Sequence, residues 1–296
     1  MNDSRPVNGP SPLARPPEKA ALRAPVTTMI FTLNEEPNLA RCLDSLRWCD
    51  DVIVVDSFST DRTEAICRER HVRFFQNAFG GFGTQRNWAL DNTSPKHNWI
   101  LILDADERVP PELASAISET LASAPAEVAA YRIARRFHLW GRWLRYSSLY
   151  PTWVVRLIHR HRVRYVDRGH GETQDVQGTI AVLGADLIDE NAKGIVDWFE
   201  RQVRYARKDA AYEVAREALP FDYAEIVSRD PLVRHAALKR AFYRAPGRAP
   251  LYFLYSYFLR GGFRDGMDGL AFCTMRALYQ QMVAVNKYDM RKNERA

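Results

Sequence analysis

From Val26 onward, short apolar runs alternate with segments that have helical spacing. Four runs are short enough for strands, at residues 26–31, 52–55, 72–75 and 99–103. Helix patterns lie between them, near 37–48 and after Ser59-Thr60-Asp61. Because strands that are apolar on both faces are typical of buried parallel sheets, the pattern predicts a β-α-β-α-β unit with right-handed crossovers.

The pattern changes on both sides of this unit. Residues 1–24 hold five prolines among small and charged residues, without apolar periodicity, which predicts a disordered lead-in. Further helical patterns lie at 111–121 and 194–215, and no internal repeat is found. We therefore predict one α/β domain over 25–190 and a helical, basic and aromatic extension over 191–296.

Composition limits the class of protein. The chain has 296 residues, 46% of them apolar, which is ample for a packed core. A formal charge of +6 leaves nucleic acid, a phosphate-rich substrate and an acidic lipid surface open as partners. The four cysteines never approach the C-x-x-C spacing of zinc or redox sites, so we predict buried thiols in a reducing cytosol.

The tail of the chain has a pattern typical of membrane surfaces. No run reaches the about 18 to 20 apolar residues that span a bilayer, and no signal peptide is visible, so we expect the chain to stay in the cytoplasm. The apolar stretch 249–259 is too short to span and is flanked by arginines, which predicts an interfacial helix. A second amphipathic stretch runs over 270–285. The alternative is a helix pair packed on the domain or on another subunit.

Polar residues follow three of the predicted strands. They are Thr32 to Glu36, Asp56-Ser57 and Asp104-Ala105-Asp106-Glu107. Alternation places the two carboxylates of Asp104 and Asp106 on one side, where they would suit Mg²⁺ or Mn²⁺ together with phosphate oxygens. The alternative for this pair is a solvated turn or a helix cap. Asp56 would accept hydrogen bonds from a base or ribose, or would cap the next helix.

These motifs resemble the family 2 glycosyltransferases. The resemblance rests on Thr-Leu-Asn-Glu-Glu, then Val-Ile-Val-Val-Asp-Ser-Phe-Ser-Thr-Asp-Arg-Thr, then Gly-Phe-Gly-Thr-Gln-Arg-Asn-Trp-Ala-Leu, then Leu-Asp-Ala-Asp-Glu. It is dense from Val26 to Glu112, looser to about Gly178, and nearest to the bacterial lipopolysaccharide-core glucosyltransferase-like branch. It implies a GT-A fold, an α/β Rossmann-like architecture, and an inverting reaction with a nucleotide-sugar donor, with UDP favoured.

The resemblance also implies roles for single residues. Asp104 would lie near the ribose and the donor, and Asp106 would bind a divalent metal, Mg or Mn. The residues expected to border the nucleotide or shape the donor pocket are Phe31, Leu33, Glu35, Asp56, Gln85, Arg86 and Asn87. The glycines before Gln85 lack the G-x-G-x-x-G pattern, so a dinucleotide site is not expected.

An inverting transfer needs a base for the acceptor hydroxyl. The segment from Tyr165 to Glu172 resembles the family's aromatic-x-Asp-x-x-Val-His-Glu stretch, with His170 one place early and Gly171 at the usual histidine position. We predict Glu172 as the base and Asp167 as its reserve; the alternative is a surface turn. His159 and His161 alternate in a strand-like run but lack neighbours that would complete a zinc site.

Nine arginines lie between Arg132 and Arg164, with aromatic residues between them and no acidic residue. They would bind nucleic acid, or a lipid-linked phosphate or phosphorylated saccharide, or they would pack their stems on apolar surface. No nucleic-acid-binding signature is present, so no nucleic-acid partner is expected. Gly141-Arg142-Trp143 and Tyr150-Pro151 also resemble the family branch, which favours an acceptor role.

Together these patterns predict a transferase at the inner face of the cytoplasmic membrane. It would move a hexose to a hydroxyl of a cell-envelope glycan, in the lipopolysaccharide core or an exopolysaccharide, and its acceptor would be a free or lipid-linked glycan. One alternative is a polyprenyl-phosphate glycosyltransferase, whose phosphate acceptor needs no base. Another is a nucleic-acid-binding or membrane-binding module without catalysis.

Overall fold

The first half of the chain forms the predicted alternation of strands and helices. The computed structural model describes residues 24–168, 171–217, 223–227, 229–245 and 247–293. Its first elements are β1 (Val26–Thr32), α1 (Glu36–Asp44), β2 (Asp51–Asp56), α2 (Thr63–Glu69), β3 (Arg73–Gln76), α3 (Phe82–Asn92) and β4 (Trp99–Asp104). β1 lies between β2 and β4 and is parallel to both, and β3 is parallel to β2. The predicted parallel unit is confirmed.

The second half extends this sheet with strands of mixed direction. The elements are β5 (Glu107–Arg108), α4 (Pro111–Ala122), β6 (Val128–Leu139), β7 (Arg142–Trp143), β8 (Thr152–His159), β9 (Val163–Arg168), β10 (Gly171–Val176) and β11 (Thr179–Asp189). The sheet order is β3-β2-β1-β4-β8-β6-β11-β5, with β7 paired to β6 and with β9 and β10 forming a separate hairpin. β8 is antiparallel to both β4 and β6. The predicted GT-A-type α/β fold is thus confirmed.

One of the first two helices ends earlier than predicted, and the other begins where it was predicted. α1 ends at Asp44 rather than near residue 48, and the chain continues in tighter turns, such as the one in which Leu46 donates its N–H to the carbonyl of Leu43. α2 begins at Thr63, just after Ser59-Thr60-Asp61 as predicted, and Asp61 accepts the N–H of Thr63 at 2.9 Å. Local hydrogen bonds in the connecting loops therefore set where these helices start and stop.

Apolar clusters cover the sheet on both faces. One cluster joins strand residues to α1, α2 and α4, with Leu39, Ile66 and Leu113 among its members. The other joins strand residues to α3 and β9, through Leu90 and Tyr165. Because β1, β2 and β4 are largely buried on both faces, their central residues are mostly apolar, and this pattern made the strands recognisable, whereas the edge strand β3 is only partly buried.

A helical extension follows the last strand, as predicted. It contains α5 (Gly194–Glu217), a 3₁₀ turn (Tyr223–Val227), α6 (Pro231–Arg244), α7 (Arg248–Leu254), a π-helical turn (Tyr255–Leu259), a 3₁₀ turn (Gly262–Asp265) and α8 (Gly266–Asn293). α5 and α8 pack through Ala206, Ala210, Tyr279 and Val283. None of the helices within the described ranges is long and apolar enough to cross a bilayer. The division into two domains stays a prediction.

The extension is tied to the sheet by a buried carboxylate. Asp265, at the start of α8, accepts hydrogen bonds from the backbone N–H groups of Tyr146 and Ser147 at 2.9 and 2.7 Å. The rings of Phe137 on β6 and Phe272 on α8 lie 4.8 Å apart. These contacts fix the helices against the strands that run toward the edge where polar residues were predicted.

All four cysteines are free. Cys42, Cys67 and Cys273 are buried, as predicted, whereas Cys49 is partly exposed. Burial raises the pKa of the Cys67 thiol to about 12. Such thiols are unreactive core residues, and the compartment of the protein stays a prediction. The predicted N-terminal lead-in lies outside the described residues, apart from Ala24.

Candidate active site

The polar strand ends meet at one edge of the sheet. Phe31 pairs with Asp104 across β1 and β4, and Thr32 pairs with Asp56 across β1 and β2. The three strands are parallel, so their carboxyl ends lie side by side. This is the edge at which open α/β sheets bind ligands.

Two buried arginines hold the carboxylate of Asp104 at this edge. Arg86 Nη2 lies 3.0 Å from Oδ1, and Arg156 Nη2 lies 2.5 Å from Oδ2. The arginine side chains are 5% and 7% exposed, whereas that of Asp104 is 38% exposed. Burial alone would raise the pKa of Asp104. The positive charges of Arg156 and Arg86 outweigh the effect of burial and hold this pKa below its usual value. Each carboxylate oxygen keeps a second lone pair for a ligand.

Glu107 is a further charged residue in this ionic network, next to Arg156. Its side chain is almost fully buried, and its Oε1 lies 2.6 Å from Arg156 Nη2. Its Oε2 accepts the backbone N–H of Asp104 at 3.0 Å. Burial raises the pKa of Glu107 although Arg156 opposes it. Arg135 Nη1 lies 3.1 Å from Oδ2 of Asp189, whose pKa is likewise raised by burial.

Asp106 has a different kind of partner. Asn191 donates a hydrogen bond from Nδ2 to Asp106 Oδ2 at 2.8 Å, and the N–H of Glu190 donates to the Asp106 carbonyl at 2.9 Å. The two aspartates were predicted to bind one ion, but their partners differ. Two arginines hold Asp104, whereas one amide holds Asp106. Among the residues that the structure describes, no three His, Cys, Asp or Glu side chains form a metal cage. The two aspartates fit Mg²⁺ or Mn²⁺ only if substrate oxygens supply the other ligands.

The loop after β1 is held by a lysine from the loop between β11 and α5. Lys193 Nζ lies 2.6 Å from Glu35 Oε1 and donates to the Leu33 carbonyl at 3.2 Å. Burial raises the pKa of Glu35, and Lys193 opposes that rise. The Leu33 side chain is half exposed. Phe31 lies under Arg86, with 5.5 Å between the ring centroid and the guanidinium carbon.

Asp56 is fully buried, and its carboxylate accepts hydrogen bonds from other residues of the protein. It accepts bonds from the Thr32 hydroxyl at 2.8 Å and from the Ser59 N–H at 2.7 Å. Both of its oxygens therefore have protein partners. It lies at the predicted edge and joins two strand ends, while its contact with a nucleobase stays a prediction.

Gln85 and Asn87 also bond within the protein. Gln85 accepts from Asn77 Nδ2 at 2.6 Å, and Asn87 exchanges hydrogen bonds of 2.8 and 3.0 Å with the backbone of Tyr165. Of the predicted segment 85–87, Arg86 thus points to the Asp104 carboxylate, whereas its two neighbours fasten α3 to the loop after β3 and to β9.

The β9–β10 hairpin carries both base candidates, opposite each other. Asp167 accepts from the Gly83 N–H and the Thr84 hydroxyl, each at 2.7 Å, and so caps the start of α3. Glu172 forms an ion pair with Arg86. Its Oε2 is buried and has no hydrogen-bond partner among the described residues. This oxygen can therefore accept a hydrogen bond from a ligand, and the role of Glu172 as a base stays a prediction.

The two described histidines of the predicted pair, His159 and His161, lie away from this edge. His170 lies outside the described residues. The ring centroids of His159 and His161 lie 5.9 Å apart, near the end of β8 that is opposite to Thr152. Burial lowers the pKa of His159. A zinc site there was not expected from the sequence.

Most arginines of the segment from Arg132 to Arg164 bind oxygen atoms of the protein. Those with carboxylate or carbonyl partners are Arg135, Arg136, Arg142, Arg156, Arg160, Arg162 and Arg164. Arg132 lies over the Trp153 ring at 5.4 Å, and Arg145 lies over the Trp143 ring at 5.6 Å. Most arginines of the segment thus bond within the described part of the protein, and an acceptor role for the segment stays a prediction.

Sequence reasoning missed several residues of the site. They are Glu107, Arg135, Arg156, Asp189, Asn191 and Lys193. Arg135 and Arg156 were among nine similar arginines, and nothing in their spacing marked them. Glu107 stood in the quoted motif without a role. Since Asn191 and Lys193 follow the last strand, only the position of β11 beside β6 could have indicated them.

Comparison with known proteins places the chain among glycosyltransferases. The model of Glycosyl transferase family 2 matches residues 27–191, more than half of the 296 residues. Lipopolysaccharide core biosynthesis glycosyltransferase LpsC of Rhizobium meliloti is 28% identical over 277 residues, which cover 90% of this chain and 93% of LpsC.

Solved structures give weaker likenesses. Glucosyl-3-phosphoglycerate synthase from Mycobacterium tuberculosis has 18% identity and a TM-score of 0.44 over 68% of this chain and 82% of that one. S. aureus TarS 1-349, solved with UDP-GlcNAc, has 15% identity and a TM-score of 0.39 over 90% and 92%.

Replacing Asp167 by Asn should weaken the cap of α3. Loss of a helix cap costs about 1 kcal/mol, or about 2 to 4 °C in the melting temperature of a chain of this size. Burial acts to raise the pKa of Asp167, but bonds from Thr84 and Gly83 outweigh it and lower the pKa. The stabilisation is therefore present near neutral pH and is lost as pH falls through the lowered pKa. Melting curves of both proteins should converge in acid.

The control for Asp167→Asn is Asp91→Asn, which removes an exposed ion pair of 3.0 Å with Arg164. Its effect on melting should be small at any pH. If Asp167→Asn kept its stability but lost sugar transfer, the cap would not be the main role of Asp167, and Asp167 would be the stronger candidate for the base.

Proposed function

The chain belongs to glycosyl transferase family 2, and on this basis we propose that it transfers a hexose from a nucleotide sugar to a hydroxyl of a cell-envelope glycan, with inversion at the anomeric carbon. One observation carries the proposal: the guanidinium group of Arg86 contacts both Asp104, at the predicted donor edge, and Glu172, the predicted base. Inversion requires a base across from the leaving group. The name of LpsC supports an envelope acceptor, in the lipopolysaccharide core or an exopolysaccharide.

The donor half of the reaction would use the edge formed by β1 and β4. Half-exposed Leu33 offers apolar surface to a nucleobase, and the free lone pairs of Asp104 would accept hydrogen bonds from ribose hydroxyls. Asp106 would hold a divalent cation together with diphosphate oxygens. A bound cation of this kind would neutralise charge on the departing nucleoside diphosphate. UDP is the nucleotide that the family resemblance favours.

The acceptor half would use Glu172. Its Oε1 pairs with Arg86, and its Oε2 has no partner in the part of the chain that the structure describes. An acceptor hydroxyl that donates to Oε2 would pass its proton to this carboxylate as the hydroxyl oxygen attacks the anomeric carbon. Asp167 is less suited, because its oxygens already accept bonds from α3.

Two rival functions receive less support. A polyprenyl-phosphate glycosyltransferase would share the donor site, but its phosphate acceptor would leave the buried Oε2 of Glu172 without a proton to take. A binding module without catalysis is disfavoured by family membership. A nucleic-acid surface is also disfavoured, since seven arginines of the basic segment are bonded within the protein.

We also propose that the end of α7 rests on the inner face of the cytoplasmic membrane. The apolar patch that would enter the interface consists of Leu251, Leu254, Phe258, Leu259, Phe263 and Met267, each about half exposed or more. Arg260 and Arg264 lie beside it, and residues 244–264 include no acidic side chain. An exposed apolar patch next to cations is complementary to an anionic leaflet. Lipid-linked acceptors would then be within reach.

Asp106→Ala should abolish metal-dependent binding of the donor nucleotide. We expect calorimetry with UDP or UDP-sugars and Mn²⁺ to give binding for the wild type and none for the variant, because the cation loses its charged ligand. Asp91→Asn, at an exposed carboxylate on α3, serves as the control and should bind normally. Equal binding by Asp106→Ala and the wild type would remove Asp106 from the metal site.

Glu172→Gln should separate the two enzyme functions. For an inverting transfer to a hydroxyl, kcat should fall by about 10²- to 10⁴-fold because general-base catalysis is lost. UDP should still bind, because the glutamine oxygen can accept a hydrogen bond from Arg86 and Asp104 keeps its own pair with Arg86. A polyprenyl-phosphate transferase should tolerate the change. Glu172→Asp is the matched variant, because it keeps the charge but shortens the reach. Unchanged turnover by Glu172→Gln would exclude Glu172 as the base.

Phe258→Ser combined with Leu259→Ser should weaken membrane binding. Both side chains are exposed, so the fold should tolerate the change, while burial in the interface would be lost. We expect about tenfold to hundredfold weaker binding to phosphatidylglycerol vesicles in flotation assays. Val203→Ser on α5, also at an exposed apolar residue, is the control. Undiminished flotation of the double variant would contradict the assignment of this patch.

A further inference from the structure

A bulge in β8 projects Arg156 out of the sheet. On the side of β6, Tyr131 pairs with Leu157 and Arg132 pairs with Val155, so Arg156 is an extra residue with none opposite. On the other side, the pairing of β4 with β8 runs as far as Leu101 and Leu157. Bulges turn a side chain away from the regular alternation and bend the strand, and they are frequent beside active sites.

The projected side chain connects two carboxylates of different kinds. Arg156 Nη2 lies 2.5 Å from Oδ2 of Asp104, which faces solvent, and 2.6 Å from Oε1 of Glu107, which is 1% exposed. Glu107 in turn accepts the N–H of Asp104. Arg156 thus holds the side chain of Asp104, and Glu107 holds its backbone N–H.

We infer that Arg156 is a positioning residue, which holds the carboxylate of Asp104 in the orientation that receives the donor nucleotide. The inference rests on the proposed function. The Asp104 side chain is partly exposed, at 38%, and its carboxylate is held by ion pairs. Its Oδ2 is oriented by Arg156 and its Oδ1 by Arg86. Without Arg156 the carboxylate would keep one anchor and could rotate about it, and small displacements of a binding group are costly.

A simpler role for Arg156 is to neutralise the buried Glu107. The two roles make different demands on the protein. Neutralisation alone would be unnecessary if Glu107 carried no charge, whereas positioning of Asp104 would still need the guanidinium group. A lysine is a point charge on a flexible stem and would bridge the two carboxylates poorly.

The experiment compares Arg156→Met with the double variant Arg156→Met/Glu107→Gln. Arg156→Met alone leaves Glu107 buried without its closest cation and should melt at a lower temperature. In the double variant, the glutamine that replaces Glu107 is neutral and retains an oxygen for the Asp104 N–H, so melting should return toward that of the wild type. UDP binding in Mn²⁺ should nevertheless stay about 10- to 100-fold weaker.

Three further variants control the comparison. Glu107→Gln alone should weaken UDP binding less than the double variant does, because Arg156 still holds Asp104. Arg156→Lys should recover part of the affinity. Arg68→Met/Glu64→Gln removes an exposed ion pair on α2 and should change neither melting nor binding. Wild-type affinity in a well-folded Arg156→Met/Glu107→Gln protein would overturn the inference, as would an equal loss in Glu107→Gln.

Crystal structures of the wild type and the double variant provide a readout that does not depend on UDP. We expect the Asp104 carboxylate to rotate or to lose a single orientation in the double variant. If it keeps its wild-type position, Arg156 does not position it, whatever the protein binds. If instead the wild type binds no nucleotide while Asp104 moves in the variant, the proposed function fails and the positioning role stands.

Discussion

The guanidinium group of Arg86 is the contact on which the candidate site depends. It pairs with Asp104 and Glu172 and lies between the rings of Phe31 and Tyr165, at 5.5 and 5.4 Å. These five residues come from five different elements, β1, α3, β4, β9 and β10. A buried cation is tolerated only with partners in place, so the hairpin and the parallel strands must reach their positions together.

The same dependence extends to the rest of the edge. Carboxylates from the first half of the chain are balanced by cations from later elements, as in the Lys193–Glu35 pair and the Arg156–Glu107 pair. Buried ion pairs contribute little net stability, because desolvation offsets their attraction. These ion pairs instead fix how the side chains at the edge are arranged. The edge acquires its geometry only when β8 and β11 have joined the sheet.

Sequence reasoning predicted this fold well because the central strands β1, β2 and β4 are largely buried on both faces. Residues such as Val54 and Leu101 could not be polar without a cost, so the apolar runs indicated strands, and their polar ends indicated the site. Partners could not be predicted in the same way. Asp56 and Asp167 had the residue type of binding groups, yet their oxygens accept bonds from Thr32 and Thr84.

These partners lie far apart along the chain, and their pairing depends on how elements pack rather than on local spacing. Lys193 and Glu35 are separated by 158 positions. The run of nine arginines shows the same limit, because composition indicated a basic surface where the described residues form mostly internal bonds. The bulge in β8, together with its burial, distinguishes Arg156 from its neighbours.

Asp104 and Asp106 have partners of different charge, which would give the two aspartates different roles in the proposed reaction. Asp104 lies between two guanidinium groups that balance its charge, whereas Asp106 is bonded to the neutral amide of Asn191. In the proposed site, a divalent cation would be drawn to the carboxylate whose charge is less compensated, which is Asp106. The remaining lone pairs of Asp104 would suit neutral donors such as ribose hydroxyls. Two aspartates that look equivalent in sequence thus differ through their neighbours, and under the proposed function Arg86 and Arg156 would determine which of them receives the nucleoside.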